Sequence, residues 1–381
     1  MLRKKVDIKK LIFAVSMIMI VACAMETMVF AFFYIKKDSF TFFDSEQYLL
    51  PEAFIKRAQK IYHPRWGWNK AYKTQFGERP RRESYGRPLI ATFGDSFTYC
   101  YGVKDEETWQ EYLSSTIKQD VYNFGVAAYG PDQAYLKFID MYPKINVPVV
   151  IFTITTENIK RLVNVYRPFY NLPTGFKLTK PRFKVVRDEL VLLENPVKNK
   201  DELMKLQDPR FINEIGRNDF WYNRDRYPVY QFPYSKILFN KRLWLETYYK
   251  ISGRPPDDAS PRPWSNLWER EEATDIMFRI LKSFAAEAES GGAVPIIMVI
   301  PGRFEVTYKF ARGEEKKNIQ KIIEFCRENN LAYFNPVDGF IDYLKAGNEI
   351  DDLYKIHLKA KANEITAAEL YEYLKGIIAF Q

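Results

Sequence analysis

A chain of 381 residues with 47% hydrophobic and 16% aromatic side chains has the length and apolar content for a large buried core, which excludes a disordered protein. Its formal charge of +9 is concentrated at one end: residues 1–37 carry seven Lys/Arg against Asp7 and Glu26, a net of +5, leaving +4 for the rest. That remainder holds no compact basic stripe, so nucleic acid is not an expected partner.

Leu11 to Ile35 is a 25-residue apolar run broken only by Ser16, Glu26 and Thr27. About 20 such residues cross the hydrocarbon core of a bilayer. Five basic residues precede the run and two follow it, which places residues 1–10 in the cytoplasm, a transmembrane anchor over 11–35 and the body outside. A cleaved signal peptide would have a shorter apolar region. Ile20-Val-Ala-Cys23 offers an alternative, a lipoprotein anchored through Cys23, although the sequence stays apolar for about twelve residues beyond it. In each case the body leaves the cytoplasm.

Residues 36–87 are polar and aromatic without sustained periodicity and read as a juxtamembrane stalk. From residue 88 strands and helices alternate. Leu89–Phe93, Val121–Phe124, Val147–Thr153, Val294–Ile300 and Leu331–Phe334 have strand character. Amphipathic helices are expected over 108–118, 271–290, 314–329 and 359–374. Short buried strands separated by helices predict an α/β fold: a three-layer, flavodoxin-like parallel sheet with helices on both faces. The rhythm stops over 161–270, a large insertion after the third strand that is rich in Pro, Arg and aromatics, as in Arg167-Pro-Phe-Tyr170, Phe220-Trp-Tyr222 and the run Tyr227 to Tyr234. Such aromatics suit either a sugar-binding cleft or the insertion's own core. Three cysteines are too few for a disulfide framework; Cys326 lies on the apolar face of its helix, and Cys100 reads as packing rather than a nucleophile.

Gly94-Asp95-Ser96 follows the first strand of this domain, so the Ser96 hydroxyl would stand at the carboxyl edge of the sheet, where open α/β folds bind ligands. A serine becomes nucleophilic when a base removes its proton. The chain has two histidines: His63, near the stalk, reads as structural, and His357 precedes the last helix, where it can reach the same edge. Acyl transfer also needs donors aimed at a developing oxyanion. The small-residue turn Asn123 to Gly130 follows the second strand and Thr155-Thr-Glu-Asn158 the third. Turn glycines and a helix-capping asparagine are the plainer readings of those two segments.

These four blocks, in this order over residues 88–160 and 271–381, resemble the SGNH hydrolases, the GDSL-like esterase and acyltransferase superfamily. The resemblance implies Ser96 as nucleophile and His357 as base. It implies an oxyanion hole from the Ser96 amide, a second-block amide and the Asn158 side chain. The second-block position falls on Ala128, with Gly125 or Gly130 as alternates. The family's acid lies three residues before its histidine, and here that residue is Tyr354. Asp352, or Asp351 as an alternate, is the nearest carboxylate; a Ser-His dyad or an inactive site are the other possibilities. No cofactor and no metal is implied. The expected function is that of a membrane-anchored extracytoplasmic serine esterase or O-acyltransferase acting on acyl, foremost acetyl, esters of an envelope glycan. The alternatives are an inactive module binding a glycan or envelope partner, and a lipid-directed esterase.

Overall fold

A computed structural model describes residues 8–40, 42–70, 72–86, 88–222, 228–252 and 264–378. The first seven residues of the expected cytoplasmic tail and Tyr227 of the aromatic run lie outside them. The chain divides into two compact units, a smaller one from residues 1–49 and 222–261 and a larger one from 50–221 and 262–381.

The larger unit is built on five strands: β1 (Pro88–Phe93), β2 (Asp120–Asn123), β3 (Val149–Ile154), β4 (Val294–Val299) and β5 (Ala332–Phe334). Their order is β2-β1-β3-β4-β5 and every pairing is parallel. The register sets Ala91 opposite both Tyr122 and Val150, Ile151 opposite Ile296, and Ile297 opposite Tyr333. Apolar β-branched runs such as Val149-Val-Ile-Phe-Thr-Ile154 are buried throughout, as a strand covered on both faces must be. The expected α/β sheet is therefore present in flavodoxin-like order.

Helices α2 (Trp109–Ile117) and α6 (Ala360–Lys375), with Val337–Lys345, share a core with the sheet through Leu113, Phe340, Leu370 and Leu374. Helices α3 (Pro131–Ile145) and α4 (Glu271–Ser290) meet through the edge-to-face rings of Phe138 and Phe284, 4.9 Å apart, and Phe284 also lies against Phe152 of β3. Helix α5 (Lys317–Glu328) precedes β5 and buries Ile319, Ile322 and Cys326. The sequence reading had no helix over Pro131–Ile145, whose mix of Tyr, Lys and an internal Pro143 blurs its period.

Two expected boundaries differ from those of the structure. Residues 36–87 are not a stalk along their whole length: from Leu50 onward they belong to the larger unit. A helix Glu52–Ile61 leads into a hairpin pairing Tyr62–His63 with Gly67–Trp68, and Trp66 and Trp68 are buried. Arg79, within the segment expected to be a stalk, is buried; it binds Asp105 at 2.7 Å and the carbonyls of Cys100 and Val103, both at 2.9 Å. The insertion is also not one body. Residues 161–221 fold into the larger unit and 222–261 into the smaller.

The smaller unit carries the long apolar helix α1 (Ile8–Lys36), which runs unbroken through the exposed Cys23. Among the described residues it is the one helix long and apolar enough to cross a membrane, the same test that a signal sequence passes. Val29 and Phe33 of α1 form a small core with Ile237 and Leu243.

Candidate active site

Because all five strands are parallel, the segments after β1, β2 and β3 emerge on one edge, and β1 sits at the point where strand order reverses. The corner after β1 is tightly closed. The Asp95 carboxylate accepts from the Phe97 amide at 2.8 Å, and the carbonyls of Asp95 and Ser96 accept from the amides of Tyr99 and Tyr101, both at 2.9 Å. A Cβ on Gly94 would lie 2.7 Å from the Thr153 carbonyl oxygen, so that position tolerates only glycine. The Thr98 carbonyl ties the corner to its neighbours, accepting from Asn123 at 2.9 Å and from Gln110 at 2.8 Å.

Ser96 is 6% exposed, and its Oγ lies 2.9 Å from His357 Nε2. The imidazole sits between the rings of Phe97 and Tyr101, at 5.0 and 5.4 Å. That burial lowers its pKa below the ordinary histidine value, partly offset by the Asp95 charge, while Arg161 reinforces the lowering. Burial thus favours the uncharged ring, the form that can take up a proton.

The second block bends through a residue in the left-handed region: Ala128 has φ 71°. An L-residue there costs about 1–2 kcal/mol. The turn is held by its carbonyls, with Trp68 Nε1 donating to Ala127 O at 3.0 Å and Arg167 Nη1 to Ala128 O at 3.2 Å. The two alternate donors are already engaged. The Gly125 amide donates to Asn123 Oδ1 at 3.0 Å and the Gly130 amide to Gln133 Oε1 at 3.1 Å. Among the described residues, the amides of Ser96 and Ala128 have no hydrogen-bond acceptor.

Asn158 is buried after β3. Its Oδ1 accepts from the Thr155 amide at 2.9 Å and its Nδ2 donates to Asp95 Oδ2 at 2.9 Å, which uses one of its two amide protons and leaves the other. Arg161 Nη1 lies 3.1 Å from the same Asp95 oxygen and also donates to the Tyr129 carbonyl. Asp95 thus joins the serine corner, the asparagine and the second-block turn. Local sequence does not announce this role of Asp95 and Arg161; the available signal was an arginine three residues after Asn158, in Ile159-Lys-Arg-Leu-Val163.

The carboxylates proposed for the histidine are engaged elsewhere. Asp352 Oδ2 accepts from the Glu349 amide at 3.2 Å and the Tyr343 hydroxyl at 3.3 Å, and Asp351 pairs with Arg303. Among the described residues no carboxylate pairs with His357. Tyr354, at the position of the family's acid, is buried, with its hydroxyl donating to the Pro301 carbonyl at 2.8 Å. His63 stacks on Trp66 at 3.9 Å and accepts from its amide, a structural role. Cys100 is 1% exposed and burial pushes its thiol up to about 12, which leaves it protonated and inert.

No family model and no curated protein matches this sequence. Solved structures do. The acetyl xylan esterase AlAXEase aligns over 76% of this chain and 100% of its own, with 12% identity and a TM-score of 0.37. The psychrotrophic esterase EstA from Pseudoalteromonas sp. aligns over 76% and 97%, at 11% identity and 0.34. A member of the lipolytic protein G-D-S-L family from Veillonella parvula DSM 2008 aligns over 76% and 98%, at 9% identity and 0.36. At such identities and scores these are likenesses of fold and carry nothing about chemistry. The strand order of the larger unit, its serine corner after β1 and its histidine before the last helix are the arrangement that the resemblance to the SGNH hydrolases implies.

Proposed function

We infer that this protein is an ester-acting serine enzyme working through a Ser96–His357 pair. The 2.9 Å separation of Ser96 Oγ and His357 Nε2 carries the reading. The neutral imidazole takes the hydroxyl proton as Oγ attacks an acyl carbon. The resulting imidazolium hands that proton to the departing alcohol, leaving an acyl-serine. The unspent amides of Ser96 and Ala128 and the second Asn158 amide proton are the donors for the oxyanion of the tetrahedral intermediate. Water, or a sugar hydroxyl in the transferase case, then gives its proton to His357 and takes the acyl group. With Tyr354 in place of an acid, the pair works as a dyad whose imidazolium is favoured through the fields of Asp95 and Glu157.

The body is proposed to be extracytoplasmic and held by α1 as an anchor, which the basic residues before the apolar run support. An acyl ester of an envelope glycan, foremost an acetyl ester, is the proposed substrate; export and the aromatic content of 161–270 favour it. The buried Tyr354 is the observation that favours the second reading, a module that binds an ester-bearing glycan without turning it over. Reaction with a serine-directed phosphonate and hydrolysis of a chromogenic acetyl ester distinguish the two. The catalytic reading expects both in the full chain, with both lost in Ser96→Ala and hydrolysis lost in His357→Ala. A wild-type protein that neither labels nor hydrolyses would overturn it in favour of the binding module.

A further inference from the structure

The smaller unit holds an ionisable residue where a membrane span should have none. Glu26 lies ten residues before Lys36, about 15 Å down the helix axis at 1.5 Å per residue. The apolar run between Lys10 and Lys36 is about 37 Å long by the same rise, against a hydrocarbon core of about 30 Å, so Glu26 falls within the core. A carboxylate at that depth is costly unless it is partnered. Its partner is a segment some two hundred residues later. Ser235 gives Glu26 its amide, at 3.2 Å, and its hydroxyl. Tyr230 donates its hydroxyl to the Phe30 carbonyl of α1 at 3.1 Å, and the Phe30 ring lies against those of Tyr230 and Tyr234. Along α1, then, the segment descends from the level of Phe30 to that of Glu26, about 6 Å deeper.

Several large apolar side chains of this segment are uncovered. Phe239 is 84% exposed and Ile251 82%, and Phe232, Trp244 and Leu245 are exposed with them, while Ile237 and Leu243 face α1. In water this would be an unusual patch. Beside a membrane span it has an obvious solvent. Tyr248 and Trp244 on the helix Lys241–Ser252 are the residue types found at the boundary between acyl chains and water.

We propose that residues 228–252 form a second membrane element, seated beside the C-terminal half of α1 in one leaflet with Phe232, Phe239 and Ile251 against lipid acyl chains. The proposal rests on the reading of α1 as an anchor. Its support is continuity with the lipid-facing surface of α1 and the Glu26 carboxylate, which the element satisfies inside the membrane.

Spin labels on the full-length protein in lipid nanodiscs test it. Phe239→Cys and Ile251→Cys, each in a Cys23→Ala background, are compared with Met19→Cys on α1 and Met204→Cys on the exposed surface of the larger unit. Collision with oxygen against a water-soluble nickel chelate reports the surroundings. Residues 239 and 251 should match 19, favouring oxygen several-fold, and 204 should favour nickel. If 239 and 251 match 204 while 19 remains oxygen-accessible, the second element is wrong and the anchor stands. If 19 is also nickel-accessible, the anchor reading fails with it. Weak collision with both reagents at 239 would mean that protein covers the patch, which overturns the lipid assignment.

Discussion

Arg161→Met removes the cation beneath the candidate site without touching Ser96 or His357. Asp95 and Arg161 are both buried, with side chains 2% and 7% exposed. At 3.1 Å and an effective dielectric of about 20 their attraction is about 5 kcal/mol, opposed by the desolvation of both groups. Removing one partner of such a pair typically costs about 3–5 kcal/mol, because the other charge stays buried. The remaining partners of Asp95 are Phe97 N and Asn158 Nδ2, and the Tyr129 carbonyl loses its donor as well. Thermal unfolding followed by near-UV circular dichroism should show a loss of about 6–15 °C. Ester hydrolysis should fall through kcat more than KM, since the group Asp95 orients, Asn158, is the proposed oxyanion donor, and Arg161→Lys should recover part of both. An Arg161→Met protein within 1 kcal/mol of wild type would refute the reasoning, since the expected cost is about 3 kcal/mol or more.

Ala128→Gly relieves a left-handed alanine while adding unfolded-state entropy, for a net gain of about 0.5–1 kcal/mol in urea unfolding; a loss would mean that the turn is not strained. Asp352→Asn should leave ester hydrolysis within about twofold of wild type, in contrast to the 10²-fold or greater losses of a true general acid–base partner, and a loss of that larger size would restore Asp352 to the site. Burial lowers the pKa of His63 to about 4 and also lowers that of His357, against about 6.5 in the unfolded chain. Below that pH the unfolded state binds protons that the fold refuses, so the urea midpoint should decline steadily from pH 6.5 toward pH 4. His63→Gln should flatten that decline, and an unchanged slope would remove His63 as its cause.

The sheet was legible because its strands are short, apolar and β-branched, as in Val147 to Thr153, and because amphipathic helices such as 314–329 separate them. Local signals of that kind do not reach Arg79, whose partners include Cys100, Val103 and Asp105, each more than twenty residues away. The sequence around Arg79 reads as part of a stalk and folds as a buried clamp. The same limit applies within the site. Ser96, Asn158 and His357 follow strands or precede a helix, so their edge could be inferred from topology alone. Whether Asp352 could turn toward the imidazole depended on how the short helix Ile350–Leu353 closes, and there its carboxylate caps its own first turn. Similarly, Glu26 read as a blemish in an apolar run, because Ser235 is two hundred residues distant in sequence.

The buried Tyr354 also constrains how this site could have changed over time. Its ring packs edge-to-face with Phe340 at 6.0 Å, and its hydroxyl holds the Pro301 carbonyl after β4. Tyr354→Asp would forfeit a large core side chain, at about 3–5 kcal/mol, and bury a carboxylate before any imidazole had turned to meet it. A two-residue site and a three-residue site would then be separated by an intermediate sequence too unstable to persist. The tyrosine would act as a latch on evolutionary history, with a return to the acid requiring the pocket at Phe340 and Pro301 to be rebuilt first.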